Sequence, residues 1–436
     1  MARTFKGGIH PNGNKEFTKD KAIELLKAPD FVILPMSMHI GAPCEPLVKK
    51  GDYVYLGQKI GESAAPVSSP VHASVSGTVR DVVAVPHANG SKVLSVIIDN
   101  DFKDEVHPDI KPLDISKMSI DEIIEAIRSA GIVGHGGAAF PTHVKIKSSL
   151  GKADKLLINA SECEPFITSD YRLLLERTEE IVEGTKLLQY IMGNIDTTIC
   201  LENNKRDAVP ILKKYLGEGT NINIESLQTK YPQGAEKQLI YAVTRREVPA
   251  GKLPADSGCA VFNADTAAAV YRLFNKGMPV IRRIVTVSGN AITEPKNLEV
   301  RIGTPVENLI EACGGAKVAP TKLLMGGPMM GNPLYTTEVP VIKGTNAILA
   351  FDEKERKNPL DPVCIRCGKC VDICPMGLLP TNIYKYYEKG TVSDLKKFNA
   401  LDCIECGSCS YVCPGNLPLV HAIRLAKQSI VASIKK

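Results

Sequence analysis

Tryptophan is absent from the chain, and all aromatic residues together make up only 5% of it, which argues against a surface built to stack nucleic-acid bases. An excess of one charge is lacking too: the formal net charge is +5, and the lysines are scattered rather than gathered into a basic arm. No footprint for nucleic acid follows from that. No apolar run approaches the ~20 residues that cross a bilayer, and Met1-Ala2-Arg3-Thr4-Phe5 lacks the apolar stretch of a secretory signal. The expectation is a chain that stays in the cytoplasm. The 13 cysteines are odd in number, and most crowd near the C-terminus at short spacings. This suits metal ligation in a reducing compartment rather than a disulfide framework.

What is present reads as several globular units. With 436 residues, 44% hydrophobic and 23% charged, the chain can bury roughly three or four separate cores. From Pro35 to about Asp99, short β-prone stretches are punctuated by Gly and Pro, which predicts a small all-β unit. Val48-Lys49-Lys50-Gly51-Asp52, Gly57-Gln58 and Ser76-Gly77-Thr78-Val79 resemble the barrel-sandwich of lipoyl and biotinyl carriers. Such carriers present a modifiable lysine at a hairpin tip, where this chain has Ser63-Ala64-Ala65-Pro66-Val67-Ser68-Ser69, so a structural role is expected.

Between Ser116 and about Asn275 the period changes. Ser119-Ile120-Asp121-Glu122 is a capping box ahead of Ile123, Ile124 and Ile127, with Gly131 placed to close the helix. The apolar run Leu156-Leu157-Ile158, a helical pattern from Tyr171 to Met192, a strand at Thr197–Leu201, a helix over Arg206–Leu216, the run Ile222–Glu225 and a helix over Glu236–Val243 then alternate. Alternation of this kind predicts a parallel α/β sheet with ligands at the carboxyl ends of its strands, in the loops after Ile158 and Leu227. Ile284–Gly289 opens a smaller unit whose Pro305 starts an amphipathic helix ending before Gly314-Gly315; it resembles a β-grasp module. The expected division is 1–112, an N-terminal segment and barrel-sandwich; 113–277, the α/β domain; 278–345, the β-grasp; and 346–436, a helical ferredoxin-like domain.

Cys364, Cys367, Cys370 and Cys374-Pro375 form C-x₂-C-x₂-C-x₃-C-P, and Cys403, Cys406, Cys409 and Cys413-Pro414 repeat it. Three close thiolates wrap one cube while the fourth reaches the neighbouring one. The expectation is two 4Fe–4S clusters with crossed ligation, one on Cys364, Cys367, Cys370 and Cys413, the other on Cys403, Cys406, Cys409 and Cys374. Zinc sites usually pair well-separated C-x₂-C knuckles, which does not explain two such runs. Gly368 and Gly407 let the backbone turn beside the sulfurs. Cys44, Cys163, Cys200, Cys259 and Cys313 are dispersed and expected to be small buried hydrophobes.

Gly131 to Lys145 joins glycines to a helix start at Pro141, where backbone N–H groups and the Lys145 ammonium favour an anion. It is neither a P-loop nor a dinucleotide fingerprint. In order along the chain come Gly134-x-Gly136-Gly137-Ala138-x-Phe140-Pro141-Thr142-x-x-Lys145, Asn159-Ala160-x-Glu162-x-Glu164-Pro165, Tyr231-x-x-Gly234-x-Glu236 and Asn263-x-x-Thr266. These blocks resemble the NADH- and FMN-binding flavoprotein subunit of respiratory complex I. With the barrel-sandwich in front and the cysteine runs behind, nearly the whole chain resembles the C subunit of Rnf ion-translocating oxidoreductases.

The resemblance implies that Gly134, Gly136, Gly137 and Lys145 lie beside FMN and nucleotide phosphates, that Phe140 stacks on an aromatic ring, and that Asn159 and Glu162 hydrogen-bond the flavin. Glu164 and Glu236, as the catalytic pair, reach NAD hydroxyls or the nicotinamide amide; Tyr231 and Gly234 belong to the same block, and Asn263 and Thr266 hold the FMN phosphate or ribityl chain. Departures from the pattern are His135 for an arginine, Ser161 and Ala235 for acids, and Ser148 for an aromatic. The implied activity is exchange of a hydride between NAD(H) and FMN and of single electrons with the clusters. The implied partners are the other subunits of a membrane complex, with ferredoxin reached indirectly, at the inner face of the cell membrane. Two other readings compete: a flavoprotein subunit of a soluble NAD-linked hydrogenase or formate dehydrogenase, which generally lacks the leading barrel-sandwich, and a scaffold subunit without chemistry. Anaerobic reconstitution should give about eight irons per chain if each run builds a four-iron cube; stoichiometric zinc without iron–sulfur absorbance would contradict it.

Overall fold

The computed structural model describes residues 2–353 and 362–434. The all-β unit near the N-terminus folds as expected into two small sheets. One is antiparallel, with the strands Phe31–Pro35, Lys92–Asn100, Gly77–Pro86 and Tyr53–Val54 in that order, and the other joins Glu45–Pro46, Lys59–Glu62 and Val71–His72. Val32, Leu34, Val54, Ile60, Val71, Val96 and Ile98 are fully buried between them. In the Ser63–Ser69 segment Ala64 and Pro66 are exposed while Ser68 and Ser69 are buried, and just beyond it the fully buried Lys343 ammonium donates to the Pro70 carbonyl at 2.6 Å and to the Gly131 carbonyl at 2.7 Å.

The α/β domain holds four parallel strands ordered Ile222–Leu227, Asp196–Glu202, Lys155–Ala160 and Cys259–Asn263. Leu156, Leu157, Ile158, Ile199, Cys200 and Leu201 are all fully buried, as a parallel sheet covered on both faces requires. The chain runs outward from Lys155–Ala160 through two strands on one side, then returns to place Cys259–Asn263 on the other. The crevice between those two strands is therefore the topological switch point, where ligands bind in such sheets. The capping box at Ser119 forms, with the Ser119 Oγ accepting from the Glu122 N–H and the Glu122 carboxylate from the Ser119 N–H.

The β-grasp sheet is wider than its own segment supplies. Its six strands run Ile23–Leu25, Lys296–Arg301, Arg282–Ser288, Ala347–Phe351, Lys322–Met325 and Asn332–Pro333. One edge strand comes from the N-terminal segment and another strand from beyond residue 345, so the sheet crosses both expected boundaries. Segment 2–25 is a strap: Arg3 bridges to Leu227, Ile9 pairs with Tyr231, the Gly8 N–H reaches the Ile373 carbonyl at 2.8 Å, and Ile23–Leu25 lie beside Asn297–Glu299. The cysteine-rich domain is helical, with Pro380–Lys389, Val392–Lys397 and Leu419–Ile434 packed around Leu378, Ile383, Leu395 and Ile430.

Candidate flavin and cluster sites

Register alone puts Asn159 and Asn263 side by side at the carboxyl edge of neighbouring strands, at the switch point. The Asn263 side chain caps the helix Ala264–Lys276, accepting from the Asp265 N–H at 2.9 Å, and its amide donates to Asp170 at 2.6 Å. The glycine loop lies over that helix start. Thr266, fully buried, accepts from the His135 N–H at 2.9 Å, and a Cβ on Gly136 would come 3.8 Å from the Asn263 Cβ. Gly137 has φ +103°, and nothing stands within 4 Å of where its Cβ would be. An exposed glycine over the positive end of a 13-residue helix is a cradle for an anion such as a phosphate. The polar atoms of Asn263 and Thr266 are thus engaged within the protein, beneath the glycine loop.

His135, where the resemblance implies an arginine, turns inward. Its Nδ1 lies 3.0 Å from Asp265, which also pairs with Arg283 and, at 2.8 Å, with Arg272. Burial first, then Arg283 and Arg272, hold the imidazole well below its usual range, so it is neutral. Nothing in the sequence singled out Asp265 or Arg283, because their role is a tertiary contact beneath the loop.

The loop after Lys155–Ala160 is fixed from both sides by lysines. The half-buried Lys15 of the strap donates to the Glu162 carbonyl at 2.9 Å, the Glu164 carbonyl at 3.1 Å and the Ile167 carbonyl, while Lys205, 2% exposed, donates to the Ser161 carbonyl and pairs with Glu202 at 3.4 Å. The Asn159 amide reaches the Gly234 carbonyl at 2.8 Å, and the Gly234 N–H reaches the Cys163 sulfur at 3.3 Å. The Glu162 carboxylate accepts from the Asp170 N–H at 2.6 Å and the Tyr171 N–H at 3.3 Å, so it caps the helix Ser169–Glu176. Glu164 accepts from the Met329 and Met330 N–H groups at 3.1 and 3.0 Å, and burial raises its carboxyl to about 7 against the pull of those amides. Glu236 stands apart from these two: its side chain is 37% exposed and its carboxylate takes the Lys145 ammonium at 2.6 Å. Phe140 is half-buried at the loop's exit, and its carbonyl accepts from the Gly134 N–H at 2.8 Å.

A phosphate-bearing flavin fits these residues. The glycine cradle is open, the Lys145–Glu236 pair is accessible beside it, and the fully buried Gln233 and Ser161 side chains in the adjoining loops have polar atoms without a protein partner. A separate cavity, where Leu56, Arg177, Arg272 and Arg282 meet, holds none of these residues, and its arginines are answered by Glu180 and Glu299.

The cysteine runs match in their local backbone. Arg366 and Glu405 both take φ +58°, and Gly368 and Gly407 both take φ +77°. The Glu405, Leu378 and Leu417 N–H groups point at the Cys403, Cys374 and Cys413 sulfurs at 3.3, 3.4 and 3.4 Å. Cys374 joins Cys403, Cys406 and Cys409 of the other run in lining one cavity. Burial pushes the Cys409 thiol up to about 12, with Cys406, Cys403 and Cys374 adding to the rise. Cys370, also raised by burial, has Cys413 of the other run as its thiol neighbour. Among the described residues no group of three or more thiols, imidazoles or carboxylates is placed to hold a metal ion. The cavity-lining set is inner, since Cys406 packs with Tyr231, Ile9, Cys163 and Met329, and the Tyr231 hydroxyl donates to the Cys406 carbonyl at 2.7 Å. The other set is outer, with Cys364 and Cys367 exposed. Of the dispersed cysteines, Cys44, Cys200, Cys259 and Cys313 are buried as expected, whereas Cys163 is half-buried between the two sites.

Comparison with known proteins agrees with this layout. Residues 3–103 match the RnfC barrel sandwich hybrid domain, 127–272 the Nuo51 FMN-binding domain, 284–333 the SLBB domain and 363–417 the 4Fe-4S dicluster domain. The chain is 48% identical over 435 residues to the C subunit of the Na(+)-translocating ferredoxin:NAD(+) oxidoreductase complex of Acetobacterium woodii, covering 99% of this chain and 98% of that one. It is 42% identical over 405 residues to the proton-translocating counterpart of Clostridium ljungdahlii, covering 92% and 88%. It is also 42% identical over 429 residues to the C subunit of the ion-translocating oxidoreductase complex of Rhodobacter capsulatus, covering 97% and 82%. Among solved structures, a chain of an NAD(+)-reducing NiFe hydrogenase in its H2-reduced state shares the fold, with TM-score 0.52 at 18% identity, over 73% of this chain and 62% of that one. Replacing Cys413 by alanine should cost the cluster built on Cys364 while leaving the cavity-lining set loaded, which iron content and electron paramagnetic resonance of the anaerobic protein will read; loss of the inner cluster alone would contradict the crossing.

Proposed function

The chain belongs to the family of C subunits of ion-translocating ferredoxin:NAD(+) oxidoreductase complexes, and from that premise we propose how its own residues carry electrons between a nucleotide cleft and a partner-facing surface. FMN, when bound, supplies two-electron exchange with a nicotinamide and one-electron exchange with iron–sulfur clusters, which carry single electrons onward. The observation that carries the reading is the juxtaposition at Tyr231, which borders the switch-point crevice through its loop and touches the inner cysteine loop through its hydroxyl.

Gly134 ties the glycine loop to Phe140 through its N–H, and Gly136 and Gly137 present the exposed backbone at the positive end of the helix Ala264–Lys276, where the flavin phosphate is held. Lys145 and Glu236, ion-paired at 2.6 Å and both partly exposed, face the cleft as the nucleotide-binding pair. A carboxylate there accepts ribose hydroxyls and disfavours a 2′-phosphate, which selects NAD(H) over its phosphorylated form. Asn159, Glu162 and Thr266 hold the loops in register, and Phe140 flanks the cradle. Ser161, where an acid is the family's habit, leaves this end of the site less negative.

The inner set, Cys374, Cys403, Cys406 and Cys409, exchanges electrons with the flavin side. The outer set, Cys364, Cys367, Cys370 and Cys413, exchanges them with another subunit. Val363 and Ile365, each 62% exposed, flank Cys364 and give that face an apolar rim suited to docking. Among the described residues no helix is long and apolar enough to cross a membrane. We place the chain on the inner face of the cell membrane, held there by the spanning subunits, with ferredoxin reached through one of them.

Two substitutions separate the roles. Gly137→Val adds a side chain where the cradle is open and forces β-branching onto a left-handed backbone, so FMN retention should be lost with both clusters intact. Glu236→Gln should keep FMN and weaken NADH-dependent bleaching by about tenfold, the loss of one charge-assisted hydrogen bond. Flavin fluorescence and anaerobic spectra with NADH read both; a Gly137→Val protein that retains FMN would overturn the placement.

A further inference from the structure

Glu164 occupies a place where three domains meet. Its Oε2 takes the Met329 N–H at 3.1 Å and its Oε1 the Met330 N–H at 3.0 Å. Both amides belong to the turn Gly326–Gly331, which leaves the β-grasp strand Lys322–Met325. The turn is fitted to the carboxylate, since a Cβ on Gly327 would fall 2.2 Å from Oε2. Its other side is fitted to the inner cysteine loop. The Met329 carbonyl lies 3.0 Å from where a Cβ on Gly407 would be, and the Met329 side chain packs with Cys406, Tyr231 and Cys163. The acid loop that carries Glu164 is itself immobilised by the Lys15 ammonium on the Glu162 and Glu164 carbonyls. Glu236 offers the contrast in partners: its carboxylate takes the Lys145 ammonium, whereas both Glu164 oxygens accept main-chain amides.

We propose that Glu164 is a positioning residue that latches the Gly326–Gly331 turn across the Cys406–Gly407 loop, and that it does not itself touch nucleotide. A half-buried carboxylate accepting two amides is costly to strip of either bond, so the latch fixes how far the flavin-side loop stands from the inner cysteine set. The turn also shields that set from water, because Met329 covers Gly407. This role rests on the inner set being the flavin-side relay, but the latch itself is tested without any electron transfer.

The test uses the full chain loaded with FMN and both clusters. In Glu164→Gln one amide faces the side-chain NH2 and loses its acceptor while the other keeps a neutral one, and hydrogen exchange at the Met329 and Met330 N–H groups should quicken about tenfold, as for the loss of one charge-assisted bond. The NADH dissociation constant and flavin retention should stay at the wild-type values, while reduction of the inner cluster by NADH slows. Gly327→Ala keeps the charge and forces a methyl against Oε2, so it should open the same latch with the same exchange signature, which guards against a folding defect in the first variant. Weaker NADH binding in Glu164→Gln with amide protection retained would overturn the proposal and make Glu164 a nucleotide ligand. Unaltered exchange at Met329 and Met330 in Gly327→Ala would overturn it as well. Quickened exchange with normal cluster reduction would keep the latch and contradict the relay order.

Discussion

The hydrogen bond from the buried Tyr231 hydroxyl to the Cys406 carbonyl, at 2.7 Å, makes one body of the parallel-sheet domain and the cluster domain. Tyr231 is 1% exposed, and a phenol hydroxyl buried without a partner costs about 1–3 kcal/mol. The same residue exchanges backbone hydrogen bonds with Ile9, at 2.8 and 2.9 Å, and Gly8 beside it reaches Ile373 at 2.8 Å. Strap, sheet edge and both cysteine runs are thus tied within a few residues. A side chain on Gly7 would strike the Ile373 and Cys374 carbonyls at 2.9 and 3.0 Å, which explains two glycines with φ of +77° and +78° where the strap passes the cysteine loop.

Around that junction the site is solvated by its own protein. Lys205 and Lys343 are buried ammonium groups and Lys15 a half-buried one, and each spends its protons on main-chain carbonyls of another segment. Removing such a charge from water is expensive unless hydrogen bonds replace the hydration. Burial lowers Lys343 to about 7 and lowers Lys15 as well. What these groups provide is fixed backbone: Lys343 sets the base of the glycine loop at Gly131, Lys15 and Lys205 the acid loop. With the scaffold this constrained, the exposed glycines and the Lys145–Glu236 pair are left as the accessible parts of the crevice.

Local chemistry was legible in the sequence and distant pairing was not. The cysteine spacing is a pattern contained within a dozen residues, and Cys374 lines a cavity together with Cys403, Cys406 and Cys409 of the second run. The capping box at Ser119 and the apolar run at Leu156 likewise depend on neighbours in the chain. The strand Cys259–Asn263 escaped notice because only its ending, Asn263-x-x-Thr266, carries a motif. The strap has no periodicity; Ile23–Leu25 find their partners at Asn297–Glu299, far along the chain, and Ala347–Phe351 joins a sheet whose expected segment ended earlier. Motifs also say which residues gather but not what each one holds. Glu162 belongs to the flavin block, yet its oxygens cap the helix at Ser169, and Asn263 and Thr266 spend theirs on the helix start and the His135 N–H.

The central claim is an order: cleft, inner cysteine set, outer cysteine set. It is tested most directly in a Cys406→Ala protein that retains FMN and the outer cluster, followed anaerobically by electron paramagnetic resonance. NADH should leave the outer cluster oxidised while dithionite reduces it, because the inner set that Tyr231 touches is broken. Reduction of the outer cluster by NADH at the wild-type rate would contradict the account.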